Sequence, residues 1–217
     1  MKKFYLIRHA QSESNAGLNV RPNHEIALTE LGKTQADSLS DWLMTHVPTP
    51  TQVFVSTYIR THETARPYLD KIGVVPVMIE PLREFNYLDY EHIKDLTYTQ
   101  IVRMADDYWA RADIDYTDSP TTDSFTNLIA RVKAVRDDFE RLPDGTYVVF
   151  THGMWLGMLM WQLLHGYHGT HCPRVFDMTK FREFELAIRP KNCEVFALLD
   201  DGTHQAMTKV WTRHDDL

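Results

Sequence analysis

The chain has 217 residues, of which 43% are hydrophobic and 24% charged, with a formal net charge of −7. That composition excludes a disordered chain and suffices for one domain with a sizeable buried core. An acidic chain with no long basic run is also a poor non-specific nucleic-acid binder, because a phosphate backbone recruits Lys and Arg. Two cysteines, Cys172 and Cys193, are too few for a disulfide framework and fit a reducing compartment. The first apolar run stops at Arg8, short of a secretion signal, and no stretch approaches a membrane span. The expectation is a soluble cytoplasmic protein with no nucleic-acid or membrane partner.

The first predicted strand runs from Lys3 to Ile7, a β-favouring aromatic and aliphatic stretch. A polar loop with Gly17 and Pro22 follows. Apolar residues then recur at Leu28, Leu31, Ala36, Leu39, Trp42 and Leu43, which is helical spacing, with Thr29 as N-cap. Gln52 to Val55 reads as the second strand. The stretch RTHETARPYLDKIG reads as a helix stopped by Gly73, with Pro67 suggesting a kink or a late start. VVPVMI reads as a short third strand whose Pro76 suits an edge.

Residues 82–123 differ in character. They are polar, rich in Tyr and Asp, and hold one well-marked helix, where Thr97 and Gln100 form a capping-box pattern before Ile101, Met104 and Trp109. This segment reads as an insertion over the core, spanning about 84–123. Ser124 to Leu142 is a long amphipathic helix. TYVVF has no polar face and reads as a central strand. MWLGMLMWQLL is apolar all round and reads as a buried helix. EVFALLDD and HQAMTKVW, separated by Asp201-Gly202, read as a terminal hairpin. Strands alternating with helices define an α/β class with a mostly parallel sheet.

Three strand ends carry reactive side chains. The first ends in Arg8-His9, the second leads to Arg60, and TYVVF leads to Thr151-His152-Gly153. Ligands of open α/β sheets bind beyond the carboxyl ends of strands. Two arginines and two histidines sharing one crevice suit a phosphoryl group: arginine offers a fixed fork of donors, and histidine can act as acid, base or nucleophile. From residue type and spacing alone, the result is an anion site in an α/β fold.

LIRHAQSESN resembles the phosphate-site signature of the histidine phosphatase superfamily, the phosphoglycerate-mutase-like proteins. LTELGKTQA, STYIRTHETA, LREFNYLDYEH and VVFTHG are similar to further segments of that family in the same order, and Asn192-Cys193 to a late one. The resemblance implies a three-layer α/β/α sandwich, one domain over 1–217, with the insertion as a helical lid. It implies a metal-independent phosphatase, without cofactor, acting through a phosphohistidine on His9. Arg8, Arg60 and His152 would hold the phosphoryl oxygens, with Asn15 at a phosphate-contacting position and the backbone N–H of Gly153 contributing. His152 counts among the catalytic residues. Glu84 would be the general acid, with a carboxyl pKa raised by burial under the lid. Glu91 is open between a lid ion pair and catalysis. Ala10 stands where the family has Gly, and Leu88, Tyr90 and His92 replace Gly, Trp and Gly around Glu91.

The expected partner is a phosphorylated small molecule, and oligomeric state is left open. A 2,3-bisphosphoglycerate-dependent mutase is the alternative within the family. Family mutases carry an extra basic segment with adjacent arginines, whereas residues 84–123 here hold only Lys94, Arg103 and Arg111 as cations. A non-catalytic phosphate-ligand sensor is the alternative outside enzymes, and the intact His9, Glu84 and His152 set argues against it. The cluster His165, His168, His171 and Cys172 looks like a ligand set, but its spacing and interleaved glycines read as a loop rather than a zinc site.

Overall fold

The computed structural model describes residues 1–165 and 177–212. Strands are β1 (Lys2–Arg8), β2 (Gln52–Val55), β3 (Val77–Met78), β4 (Gly145–Thr151), β5 (Val195–Asp200) and β6 (Gln205–Trp211). Helices are α1 (Glu30–His46), α2 (Ile59–Ile72), α3 (Tyr90–Ile93), α4 (Tyr98–Ala110), α5 (Phe125–Arg141), α6 (Gly153–Leu164) and α7 (Met178–Ile188). The six-stranded sheet has the order β3-β2-β4-β1-β5-β6. The pairings β1–β4, β2–β4 and β2–β3 are parallel, and the β5–β6 hairpin adds antiparallel to β1. β4 is central, as its lack of a polar face predicts, and β3 is an edge.

Alternation along the strands builds both faces. Tyr5, Ile7, Val53, Val55, Val148 and Phe150 pack with Ala36, Leu39 and Leu43 of α1 and with Ala65 and Tyr68 of α2. The intervening Phe4, Leu6, Phe54, Tyr147 and Val149 pack on the other side with α5 and α6. Side chains of period two therefore serve two separate cores, giving three layers. Each fully buried aliphatic or aromatic side chain contributes about 1.5–3 kcal/mol through removal from water.

Helix boundaries follow local chemistry. Thr29 accepts the N–H of Gly32 at the start of α1, and Gly73, at φ 67°, ends α2. Pro67 lies inside α2 and does not delay its start. The Thr97/Gln100 capping box forms at α4, and Ser124 with Asn127 forms a second at α5. Apolar α6 is mostly buried, although Leu164 at its end is exposed. The sequence reading assigned no element to α7, a correction with a simple cause. Its apolar Phe181, Phe184 and Ile188 are interspersed with charged Lys180, Arg182, Glu183 and Glu185, and only Met178, Phe181 and Glu185 are buried. The helix is recognisable from the Asp177 N-cap, whose side chain accepts the N–H of Lys180.

Within 84–123, Phe85, Tyr108 and Trp109 belong to the same apolar cluster as α5 and α6, and Trp109 meets Phe181 of α7 with ring centroids 6.2 Å apart. Register matters most for function. Arg8 of β1 sits opposite Thr151 of β4, and Val55 of β2 opposite Phe150. Three parallel strands thus end at one level, each followed by a polar residue.

Candidate active site

His9, directly after β1, is almost fully buried. Its backbone N–H donates to Thr151 O at 3.0 Å. Its ring Nδ1 lies 2.7 Å from Ala10 O, and Nε2 receives the Nε–H of Arg60 at 3.1 Å. A carbonyl oxygen only accepts and a guanidinium only donates, so the tautomer is determined: Nδ1 carries the hydrogen and Nε2 presents its lone pair. Ala10 replaces the family glycine without strain, because its φ is not positive, and its N–H donates to Thr64 Oγ1 at 2.9 Å.

Arg60 is held from behind. Its terminal nitrogens donate to Asn23 O at 2.6 Å and Asn23 Oδ1 at 3.0 Å, leaving Nε for His9. Asn23 was not among the sequence candidates. It opens a short 3-10 turn, Asn23–Glu25, with no motif spacing, and only the fold brings it to Arg60.

His152 caps α6 and is completely buried, its ring centroid 5.2 Å from that of His9. Ser56 Oγ lies 2.9 Å from His152 Nε2 and accepts the N–H of Tyr58 at 3.2 Å. Ser56, with one hydrogen and two lone pairs, occupies Nε2 in either tautomer, and the tautomer with hydrogen on Nδ1 is the one that offers a phosphoryl oxygen a donor. That Nδ1 is buried without a hydrogen-bond partner, as is Arg8 Nε. Orphaned buried donors cost about 1–3 kcal/mol each, and such atoms gather where an acceptor is to be bound.

Arg8 donates to Pro190 O and passes Gly153, where an added Cβ would lie 3.3 Å from Nε. Glu84 accepts the N–H groups of Met154 at 3.2 Å, Trp155 at 3.2 Å and its own neighbour Phe85 at 3.0 Å. The carboxylate thus occupies the positive end of α6. It is half-buried, and its charge reaches both Arg8 and Arg60. Asn15 is exposed, and its Oδ1 accepts from Ser12 and from Asn192. Asn192 also donates to His9 O at 2.9 Å. Cys193, at φ 62°, gives its N–H to Arg8 O at 3.0 Å. A non-glycine residue in the left-handed region is a costly conformation, and here it clamps the peptide on which both Arg8 and His9 sit. Gly32 is likewise constrained, since a Cβ there would fall 2.1 Å from Gln11 O. Only glycine lets α1 rest on the loop that follows His9.

Five of the sequence candidates therefore converge: Arg8, His9, Arg60, Glu84 and His152. Gly153 flanks them, and Asn15 reaches them through Asn192. Glu91 lies apart, paired with Lys94 at 2.6 Å on the surface. Of the late histidine cluster, His168, His171 and Cys172 lie outside the described residues. Among the described residues no group of three or more His, Cys, Asp or Glu is placed to hold a metal ion, and no helix is long and apolar enough to cross a membrane.

Burial, then Arg60 and Arg8, pushes the His9 imidazole well below its ordinary pKa. Burial first, then Arg60 and His9, does the same to His152. Burial also lowers the Arg60 guanidinium to about 10, which leaves it charged at neutral pH. Both histidines are neutral when folded, while in the unfolded chain each takes a proton near pH 6.5. Below that pH the unfolded state binds more protons, so stability falls as pH falls. Each such group contributes about 1.4 kcal/mol per pH unit. Urea unfolding between pH 6.5 and 5.5 is expected to show this, and His9→Asn should make the loss shallower by about 1 kcal/mol. Equal losses in the two proteins would show that His9 is already protonated in the fold.

A crevice at the ends of parallel strands, lined by two neutral histidines and two arginines, defines an anion site on an α/β sandwich. The sequence profile of the histidine phosphatase superfamily (branch 1) matches residues 4–195, and the chain belongs to that superfamily. It is 28% identical over 170 residues to a probable phosphoglycerate mutase GpmB of Enterobacter sp. (strain 638), covering 76% of this chain and 75% of the relative. It is 29% identical over 170 residues, with the same coverage, to the protein of that name in Yersinia pestis (strain Pestoides F).

Solved structures share the fold. A putative alpha-ribazole-5'-P phosphatase of Escherichia coli matches with TM-score 0.74 and 19% identity, covering 98% of each chain. A phosphoserine phosphatase of Entamoeba histolytica in complex with 3-phosphoglyceric acid matches with TM-score 0.73 and 17% identity, covering 99% of each chain.

Proposed function

We propose that the protein is a metal-independent phosphatase that hydrolyses a phosphorylated small molecule through a phosphohistidine on His9. The observation that carries this is the tautomer of His9, with Nδ1–H spent on Ala10 O and the Nε2 lone pair turned towards Arg60. A phosphoryl oxygen arriving at Arg60 replaces Nε2 as acceptor, which uncovers the lone pair. Nε2 then attacks phosphorus as the ester P–O bond breaks. The phosphorylated ring is cationic, and its Nδ1–H remains on the Ala10 carbonyl. Arg8, Arg60 and the Nδ1–H of His152 stabilise charge on the phosphoryl oxygens. Glu84 takes the proton carried by the phosphomonoester monoanion and passes it to the leaving oxygen, then takes one from the water that attacks the phosphohistidine. Inorganic phosphate leaves, and His9 regains its lone pair.

The mutase reading draws on the names of the curated relatives. Against it, the insertion holds only three arginines and lysines, and of these Lys94 is paired with Glu91 and Arg111 lies over the ring of Tyr116 at 4.4 Å. Hydrolysis of p-nitrophenyl phosphate in EDTA, with acid and alkaline quenching, tests the proposal. The expected result is EDTA-resistant turnover with a phosphoenzyme labile in acid and stable in alkali. Activity abolished by EDTA, or transfer from bisphosphoglycerate to 2- or 3-phosphoglycerate faster than hydrolysis, would overturn it.

A further inference from the structure

A cavity adjoins the catalytic cluster and a second lies beside it, and their chemistry differs from that of the phosphate site. The first, of about 400 Å³, begins at Asn23 and Tyr58, the residues that hold and cover Arg60. Its walls include the rings of Phe85, Tyr87 and Tyr90. The second, of about 320 Å³, shares Ser14, Arg21, Ile26 and Ile93 with the first, so the two lie side by side. Its own surface is mostly apolar, formed by Leu18, Val20, Leu96, Tyr98 and Ile101 with Gly17 and Asn19. Each is the size of a small-molecule site.

Charge along this path is already spent. Arg21 is the one arginine among the lining residues, and its Nε is 2.9 Å from Glu13. No lysine lines either cavity. Asp89 adds a negative charge, held low in pKa by hydrogen bonds from Ser119 and from the backbone of Glu91. Arg83, close behind, is taken by Asp123 through both terminal nitrogens. A second anionic group on the substrate would meet no unpaired arginine or lysine here and would face Asp89. An apolar group would instead cover side chains that water now reaches, such as Leu18, which is 54% exposed.

We propose that the substrate is a phosphomonoester of an uncharged, largely apolar alcohol, whose far end runs from the Tyr58 cavity into the Leu96–Ile101 groove. This rests on the phosphatase reading above. The groove selects by covered area, so rate should rise with alcohol length. Each methylene removed from water corresponds to about a two- to fourfold gain in kcat/KM.

The n-alkyl phosphates from ethyl to octyl test this well, because their leaving groups are chemically alike and differences report binding. At concentrations below micelle formation, kcat/KM should rise at least about 30-fold from ethyl to octyl phosphate. Octyl phosphate should also exceed 3-phosphoglycerate. Ile101→Asp, and separately Leu18→Ser at an exposed position, should flatten the dependence on chain length. Turnover with no dependence on length, or 3-phosphoglycerate preferred over octyl phosphate, overturns the inference while leaving the phosphatase reading intact. Variants that keep the wild-type slope remove the groove from recognition and overturn it too. Absence of turnover on every ester, p-nitrophenyl phosphate included, overturns both.

Discussion

Replacing His9 by alanine is expected to lower kcat on p-nitrophenyl phosphate on the order of 10⁴-fold or more, and to abolish the phosphoenzyme. The size of the effect follows from the geometry. His9 Nε2 is the only lone pair of the cluster that Arg60 points at, and His152 Nε2 is spent on Ser56. No neighbour can take over the attack. Binding should survive, because Arg60 stays anchored through Asn23 and Arg8 through Pro190. Inorganic phosphate should therefore still bind to His9→Ala, which separates loss of chemistry from loss of fold. Removing a single donor, as in Arg60→Ala, is expected to cost less, about 10²- to 10³-fold. A kcat for His9→Ala within tenfold of wild type would sink the assignment.

The largest expected effect on stability lies at Asp123, a residue that no motif marked as more than the end of the insertion. Asp123 is 6% exposed. It accepts both terminal nitrogens of Arg83 at 2.6 Å, one nitrogen of Arg131 at 3.2 Å and the N–H of Asn86 at 3.1 Å. Its own N–H returns to Asn86 O at 2.8 Å. Arg131 also donates to the Arg83 carbonyl. The loop 83–86, which carries Glu84, is thereby tied at both ends to one carboxylate. Asp123→Ala leaves the nearly buried Arg131 without its counter-charge and Arg83 with only the exposed Glu80. Breaking such a pair from one side costs about 3–5 kcal/mol. For a domain of this size that lowers the melting temperature by roughly 6–20 °C.

A control separates burial from pairing as such. Glu80 also bonds Arg83, but its side chain is 59% exposed, so Glu80→Ala should cost no more than about 1 kcal/mol. If the melting temperatures of Asp123→Ala and Glu80→Ala fall together, the clamp is not what holds the loop. Because Glu84 is placed by that loop, Asp123→Ala is also expected to lower kcat in the protein that remains folded.

Much of this architecture was legible before any coordinates. Thr97 and Gln100 announced α4, Gly73 announced the end of α2, and the unbroken apolar run of TYVVF announced a central strand. These signals act within one helical turn or one strand, so they survive in a short window of sequence. Arg8-His9, Arg60 and His152 could be grouped because each follows a recognisable strand and parallel strands end together. The contacts that turn the group into a site have no such local trace. Arg60 meets Asn23 across 37 positions, Glu84 meets Met154 across 70, and Asn192 meets His9 across 183. Helix α7 escaped notice because its apolar spacing is diluted by charge, including a buried Glu185 that takes Arg182 and Arg189.

Residue types along the chain were enough to establish an α/β class with a mostly parallel sheet and histidines and arginines at the strand ends, since strand and helix periodicity and the parallel rule act locally. The tautomer of His9, the seat of Glu84 on the first turn of α6, the clamp at Asp123 and the apolar path beyond Tyr58 were decided by tertiary structure alone. Each depends on the direction of a lone pair or the pairing of a charge, and those are settled only when distant segments are packed within a hydrogen bond of one another.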